Sequence, residues 1–172
     1  KLDERPELKL RQKGKKNLNR RVVRLTHVGN SVYLHLAEVQ VFSNGKNIAP
    51  KGKATQSSTA FAGPAKYGND GNTNGNFEKK SVTHTAQENN PWWEVDLGAE
   101  VPIEKLTLWN RIGPTLPERL KQHRVEVLDA NRNVIWKQES NKIFNPSVAY
   151  GLDGARVLPF VRVPHPTVNG LL

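Results

Sequence analysis

The stretch Asn90-Pro-Trp-Trp-Glu-Val-Asp-Leu97 decides the fold class. Trp93, Val95 and Leu97 alternate with Glu94 and Asp96, the period of a half-buried strand whose charged side faces water. The same texture spreads in both directions. Upstream, Val22 to Leu25, Val32 to Leu36 and Val39 to Phe42 are short β-branched or aromatic stretches, punctuated by Gly29-Asn30 and Asn44-Gly45. Downstream come Leu106 and Leu108, then Val125 and Val127, then Val134-Ile-Trp136 after the turn cluster Asp129 to Asn133, which predicts a hairpin. Val148 to Tyr150 and Val157 to Val163 read as late strands, with Pro159 and Pro164 confining the last to an edge. No segment carries a sustained helical period with caps. Many short strands at this spacing predict an all-β chain, a sandwich or barrel.

The 172 residues suit one domain with one core. Hydrophobic residues make up 36% and charged residues 24%, the balance of a soluble globular chain. There is no cysteine, so a disulfide framework, a thiolate zinc site and a cysteine nucleophile are excluded. No apolar run is long enough to cross a membrane as a helix. The chain has no methionine, even at position 1, and reads as part of a longer protein. Its net charge of +10 is uneven: residues 1–24 hold ten Lys and Arg against Asp3, Glu4 and Glu7. Residues 1–19 therefore read as a basic leader or linker and 20–172 as the domain, with no nucleic acid expected as partner. Arg21-Val-Val-Arg-Leu25 is echoed weakly by Pro159-Phe-Val-Arg-Val163.

Signals for catalysis are poor. There is no GxSxG, HExxH or GxxxxGK[ST] pattern, and the expectation is a non-enzyme. Two other groups of residues stand out. The loop from Gly63 to Lys80 is longer than a turn needs and reads as an ordered binding loop. Its Asp70 and Asn72, with Ser81, supply oxygens of the kind a hard cation takes, although Asp-Gly-Asn is also an ordinary turn. His84, Arg111 and Arg119 supply imidazole and guanidinium groups that hydrogen-bond sugar hydroxyls, although Arg119 has Glu118 and Glu126 as simple ion-pair candidates.

Taken together, Gly52-Lys-Ala-Thr-Gln-Ser-Ser58, Asp70-Gly-Asn72, Ser81-Val-Thr-His-Thr85, the 90–97 stretch and Trp109-Asn-Arg111 resemble the discoidin-like (coagulation-factor C-type) family, and within it the F-type lectins, or fucolectins. Leu34-His-Leu-Ala-Glu-Val-Gln-Val41 looks like the terminal strand of that fold, here placed ahead of the Gly52 segment. A permuted boundary or tandem array would leave such a fold intact, because its ends lie close together. The resemblance covers roughly residues 20–165 and implies an antiparallel β-sandwich jelly roll, galactose-binding-domain-like, with ligand loops at one end.

It also implies a structural calcium ion. Asp70, Asn72, Tyr67, Ser81, Ala37 and Glu38 stand at the family's ligand positions, with Tyr67, Asn72 and Ala37 giving carbonyls. For the sugar, the family's histidine is followed after 26 residues by an arginine, which His84 and Arg111 obey. The pattern then runs Arg-x-Asp-x4-basic. Here Gly113 stands at the Asp position and Glu118 at the basic one, with Arg119 one residue later. The sugar set implied is His84, Arg111 and Arg119.

The leading expectation is a calcium-stabilised module of a larger exported protein, extracellular, cell-surface or periplasmic, that binds a fucose-like glycan. The alternative is a structural or protein-interaction domain that has lost the sugar site. A third reading is a binder of anionic membrane surfaces through Trp92 and Trp93, against which their strand pattern argues for core.

Overall fold

The computed structural model describes residues 20–152. The basic leader, the 157–163 strand and its echo of residues 21–25 lie outside them. Among the described residues nine strands form two antiparallel sheets, as expected of the sandwich: β1 (Arg20–His27), β2 (Glu38–Ser43), β3 (Lys46–Asn47), β4 (Lys53–Gln56), β5 (Trp92–Val101), β6 (Lys105–Trp109), β7 (His123–Leu128), β8 (Val134–Ser140) and β9 (Ser147–Gly151). One sheet has the order β4-β5-β1-β7-β8 and the other β3-β2-β6-β9. The helical residues described are short 3-10 turns. β1 comes first in the chain, yet it lies inside its sheet between β5 and β7; β2 lies between its hairpin partner β3 and the later β6.

Alternation builds the core. Five strands each present an i, i+2 pair of fully buried side chains: Val23 and Leu25, Val39 and Val41, Trp93 and Val95, Leu106 and Leu108, Val125 and Val127. Each such side chain contributes about 1.5–3 kcal/mol by leaving water. The Asn44-Gly45 turn has positive φ at both residues, 49° and 72°, and joins β2 to β3 as a tight hairpin.

Two sequence expectations are corrected. Val32 to Leu36 is not a strand: it holds only an isolated bridge, Val32 to Glu88. Its Leu34 and Leu36 N–H groups go instead to threonine hydroxyls, as described below. Glu94 is not solvated but buried, because Arg24 and Arg132 both donate to its carboxylate, at 2.8–2.9 Å. The outer face of the β1–β5 pair is thus polar but covered by guanidinium groups.

Trp93 anchors the long loop. Its indole N–H donates to the Ala65 carbonyl at 2.8 Å. Gly68, at the end of the 3-10 turn Ala65–Gly68, lies against the ring so closely that a Cβ there would come within 2.7 Å of it. Gly68→Ala is therefore expected to destabilise the fold by about 1–3 kcal/mol by overpacking, read as a lower urea midpoint with unchanged slope.

His27 of β1 and His123 of β7 face each other in register. Burial is the main cause that lowers both pKa values below the usual imidazole range. A depressed folded-state pKa means that, below about pH 6.5, the unfolded chain binds more protons than the native one. Stability from these groups is therefore full above that pH and lost as pH falls through it. Between pH 7.5 and 5 the urea midpoint of wild type should therefore fall relative to that of His27→Gln with His123→Gln.

Candidate functional site

Two short segments clasp each other beside the core. Leu34 and Leu36 N–H groups donate to the hydroxyls of Thr85 (2.9 Å) and Thr83 (3.2 Å). In return, Thr85 and Thr83 N–H groups donate to the carbonyls of Leu34 and Leu36, both at 2.9 Å. The clasp puts His35, between the leucines, against His84, between the threonines: their ring centroids are 5.4 Å apart.

A cup of rings surrounds His84. Phe61 meets it edge-on at 4.7 Å, Tyr33 at 5.4 Å and Phe77 at 5.8 Å. Phe61 and Ala62 both occupy the left-handed backbone region, an uncommon conformation for such residues, and Phe61 stays 64% exposed. Gly63 completes that turn where a Cβ would come within 2.5 Å of the His84 nitrogen. The Arg111 guanidinium lies over Phe77 at 4.4 Å and that of Arg119 over Tyr33 at 5.9 Å. Arg119 reaches Tyr33 from the 3-10 turn Leu116–Leu120, despite standing one residue late in the family pattern. Neither arginine forms an ion pair among the described residues, and Glu126 pairs with Arg124 instead.

The electrostatics suit a ligand rich in hydroxyls. His84 Nδ1 lies 2.8 Å from the Thr85 carbonyl, so Nδ1 carries the proton and Nε2 is left as an acceptor. Burial, with the charges of Arg111 and Arg119, lowers the His84 pKa and keeps the ring neutral. Burial also lowers the Arg111 pKa, helped by Arg119. Arg111 Nε is buried with no partner among the described residues. One acceptor between two guanidinium donors, walled by rings, matches alternating hydroxyls and C–H faces.

Beneath it, His35 is only 1% exposed and neither ring nitrogen has a partner among the described residues. Burial, then the charges of His84, Arg111 and Arg119, push its pKa down to about 3. A buried polar atom left unpaired costs about 1–3 kcal/mol. Past Arg119 and Tyr33 the surface sinks into a hollow of about 390 Å³, with Ser31, Val32, Glu118 and Lys121 among its lining. A larger hollow, about 850 Å³, opens by His123, Phe144 and Tyr150 and contains none of the expected site residues.

The expected cation ligands gather in part. Glu38 is fully buried at the start of β2, and its Oε1 accepts from the Gly71 N–H at 3.1 Å. Its Oε2 is buried without a partner among the described residues. Burial raises the Glu38 pKa to about 8, against the Gly71 N–H and with the charge of Asp70. Asp70 Oδ1 accepts from the Asn72 N–H at 2.9 Å. Ala37 precedes Glu38, and Tyr67 sits in the turn that leads to Asp70. Ser81 instead donates its hydroxyl to the carbonyls of Asn74 (2.5 Å) and Asn76 (3.2 Å). Asp70, Asn72, Asn74 and Asn76 each accept from the N–H two residues on, at 2.9–3.0 Å, which stiffens the loop without regular structure. No cluster of three His, Cys, Asp or Glu occurs among the described residues. A cation here would take mainly carbonyl, hydroxyl and carboxylate oxygens, the donor set of calcium, and the orphaned Glu38 oxygen fits that.

Tyr33, His35, Phe61 and Phe77 were not among the residues expected from sequence. The alternation Asp70-x-Asn-x-Asn-x-Asn76 is a readable signal of the stiff loop.

The sequence profile of the NedA-like, galactose-binding domain family, of the F5/F8 type C group, matches residues 67–155. The chain belongs to this family. It is 37% identical to fucolectin of Anguilla anguilla over 106 residues, 59% of this chain and 62% of that one. It is 41% identical to fucolectin-6 of Anguilla japonica over 131 residues, 72% of this chain and 64% of that one. The match thus spans about six tenths of the length of these relatives. Among solved structures, a Streptococcus pneumoniae fucose binding module superposes with TM-score 0.57 and 35% identity, covering 65% of this chain and 79% of that one. The lectin domain of lectinolysin, complexed with Lewis B antigen, gives TM-score 0.61 and 32% identity, covering 64% of this chain and 78% of that one. These relatives are named as lectins and as a fucose binding module.

Proposed function

We propose that this domain binds a fucose-type sugar of a glycan in the cup formed by His84, Arg111 and Arg119, without catalysis. The observation that carries the reading is the neutral His84 acceptor set among two unpaired guanidinium groups and three aromatic rings. Arg111 and Arg119 donate to adjacent hydroxyls, His84 Nε2 accepts from one, and Phe61 packs on the C–H face. The names of the eel fucolectins and of the pneumococcal fucose binding module support fucose as the sugar. The hollow beyond Arg119 gives room for the next sugar of the chain. Glycans of this kind are displayed outside cells, so the working place is extracellular, cell-surface or periplasmic, within a larger exported protein. Surface display in several copies would raise a weak intrinsic affinity through avidity.

The reading includes one calcium ion. Asp70 and Glu38 would hold it by carboxylates, Ser81 by its hydroxyl, and Tyr67, Asn72 and Ala37 by carbonyls. Bound there, the ion supplies a positive charge that lets the buried Glu38 ionise at neutral pH and ties the 63–80 loop to β2.

Each hydrogen bond to a sugar replaces one to water and nets about 0.5–1.5 kcal/mol, more from a charged donor. The expected affinity for free fucose is therefore roughly 0.01–1 mM. Calorimetry should show this for wild type and at least tenfold weakening in Arg111→Ala. If fucose, galactose and their oligomers all fail to bind at millimolar concentration, the domain is a structural module. Removal of calcium by chelator should lower the melting temperature by mass action, and Asp70→Ala should abolish that sensitivity. A melt indifferent to chelator, with no calcium by metal analysis, would remove the ion from the reading.

A further inference from the structure

His35 is an anomaly in the middle of a well-satisfied fold. The clasp seats it between Leu34 and Leu36, both buried. Yet the position holds an imidazole, 1% exposed, with neither nitrogen hydrogen-bonded among the described residues. Neutral imidazole offers one donor and one acceptor, and buried groups of this kind are nearly always paired with protein or water. Its surroundings are not those of a core. The His84 ring is 5.4 Å away, and the charges of Arg111 and Arg119 are felt at His35. Arg111 Nε is a second buried, unpaired nitrogen of the same cup. Unpaired groups thus gather where a ligand is proposed to sit, and a hydroxylated ligand is what would satisfy them.

We propose that His35 is a recognition residue, the polar floor of the cup, whose hydrogen bonds are completed by a ring hydroxyl of the bound sugar, directly or across one enclosed water. This rests on the sugar reading of the cup. In the free protein the two nitrogens cost stability. In the complex they select for the hydroxyl that reaches the floor and against a sugar lacking it, because a deoxy ring leaves them unpaired again. Stability and affinity therefore pull in opposite directions at this position.

The test uses the full chain, L-fucose and a set of monodeoxy fucosides, with His35→Leu and His35→Gln. In His35→Leu the melting temperature of the free protein should rise, while L-fucose affinity falls at least tenfold. Wild type should reject one monodeoxy fucoside by tenfold or more, and His35→Leu should bind it as well as it binds fucose. His35→Gln, which keeps a donor and an acceptor, should recover part of the affinity without the gain in melting temperature. Binding of L-fucose by His35→Leu within twofold of wild type overturns the proposal. So does a joint loss of melting temperature and affinity, which marks a purely structural group. Those outcomes leave the cup itself standing, as long as Arg111→Ala weakens fucose binding. If wild type binds no sugar, the cup reading fails and this proposal falls with it.

Discussion

Four backbone N–H groups, from Leu34, Leu36, Thr83 and Thr85, close the clasp on which the site depends. A regular ladder would use carbonyls as every acceptor. Here two acceptors are threonine hydroxyls, while the other two are the carbonyls of Leu34 and Leu36, so side chain and backbone share the closure and the His35 and His84 rings meet beside it. Valine at position 83 or 85 would keep the shape and bulk of the side chain but leave a leucine N–H buried and unpaired. The Thr-His-Thr pattern thus serves geometry through its threonines and chemistry through its histidine.

The same segment links the two halves of the site. Residues 34–36 lie under the cup, and Glu38, two residues later, receives the Gly71 N–H from the long loop. The loop itself is held from three sides. Trp93 takes the Ala65 carbonyl, the alternating Asp and Asn side chains cap their own backbone, and Ser81 gathers the carbonyls of Asn74 and Asn76. Its far end carries Phe77, over which Arg111 lies. A cation at Glu38 and Asp70 would therefore bear on the cup through the backbone, by fixing where Phe77 and the clasp sit.

Strands were legible wherever alternation met a buried face on one side only. Val125 and Val127, Leu106 and Leu108, and Trp93 and Val95 follow the period of two and bury as that period requires. The reading failed at Val32 to Leu36, where β-branched and apolar residues look like a strand but pair through side-chain hydroxyls. Alternation reports which side chains are buried, not what their backbone donates to. It failed at Glu94 for a related reason: a polar position on a strand signals the outer face, but distant guanidinium groups decide whether that face is wet. Of the site, His84, Arg111 and Arg119 were legible through spacing and chemistry. Tyr33, Phe61 and Phe77 were not, because a ring in a loop reads the same whether it packs inward or faces a ligand. Only tertiary geometry gathers three such rings around one imidazole.

The one-residue shift of Arg119 follows the same logic. Sequence spacing counts residues, whereas the site needs a guanidinium at a place in space. In the 112–118 connection Gly113 takes φ of 144°, and the 3-10 turn from Leu116 buries Pro117 and Leu120 while Glu118 and Arg119 stay exposed. Side chains in a 3-10 turn step about 120° per residue, so a shift of one position moves the charge to another side of the turn. Here that side is the one that faces Tyr33, and Arg119, Tyr33 and Glu118 together line the hollow beside it. Loops that carry the ligand groups are free to vary in this way because the clasp and the core, not the loops, hold the floor of the site.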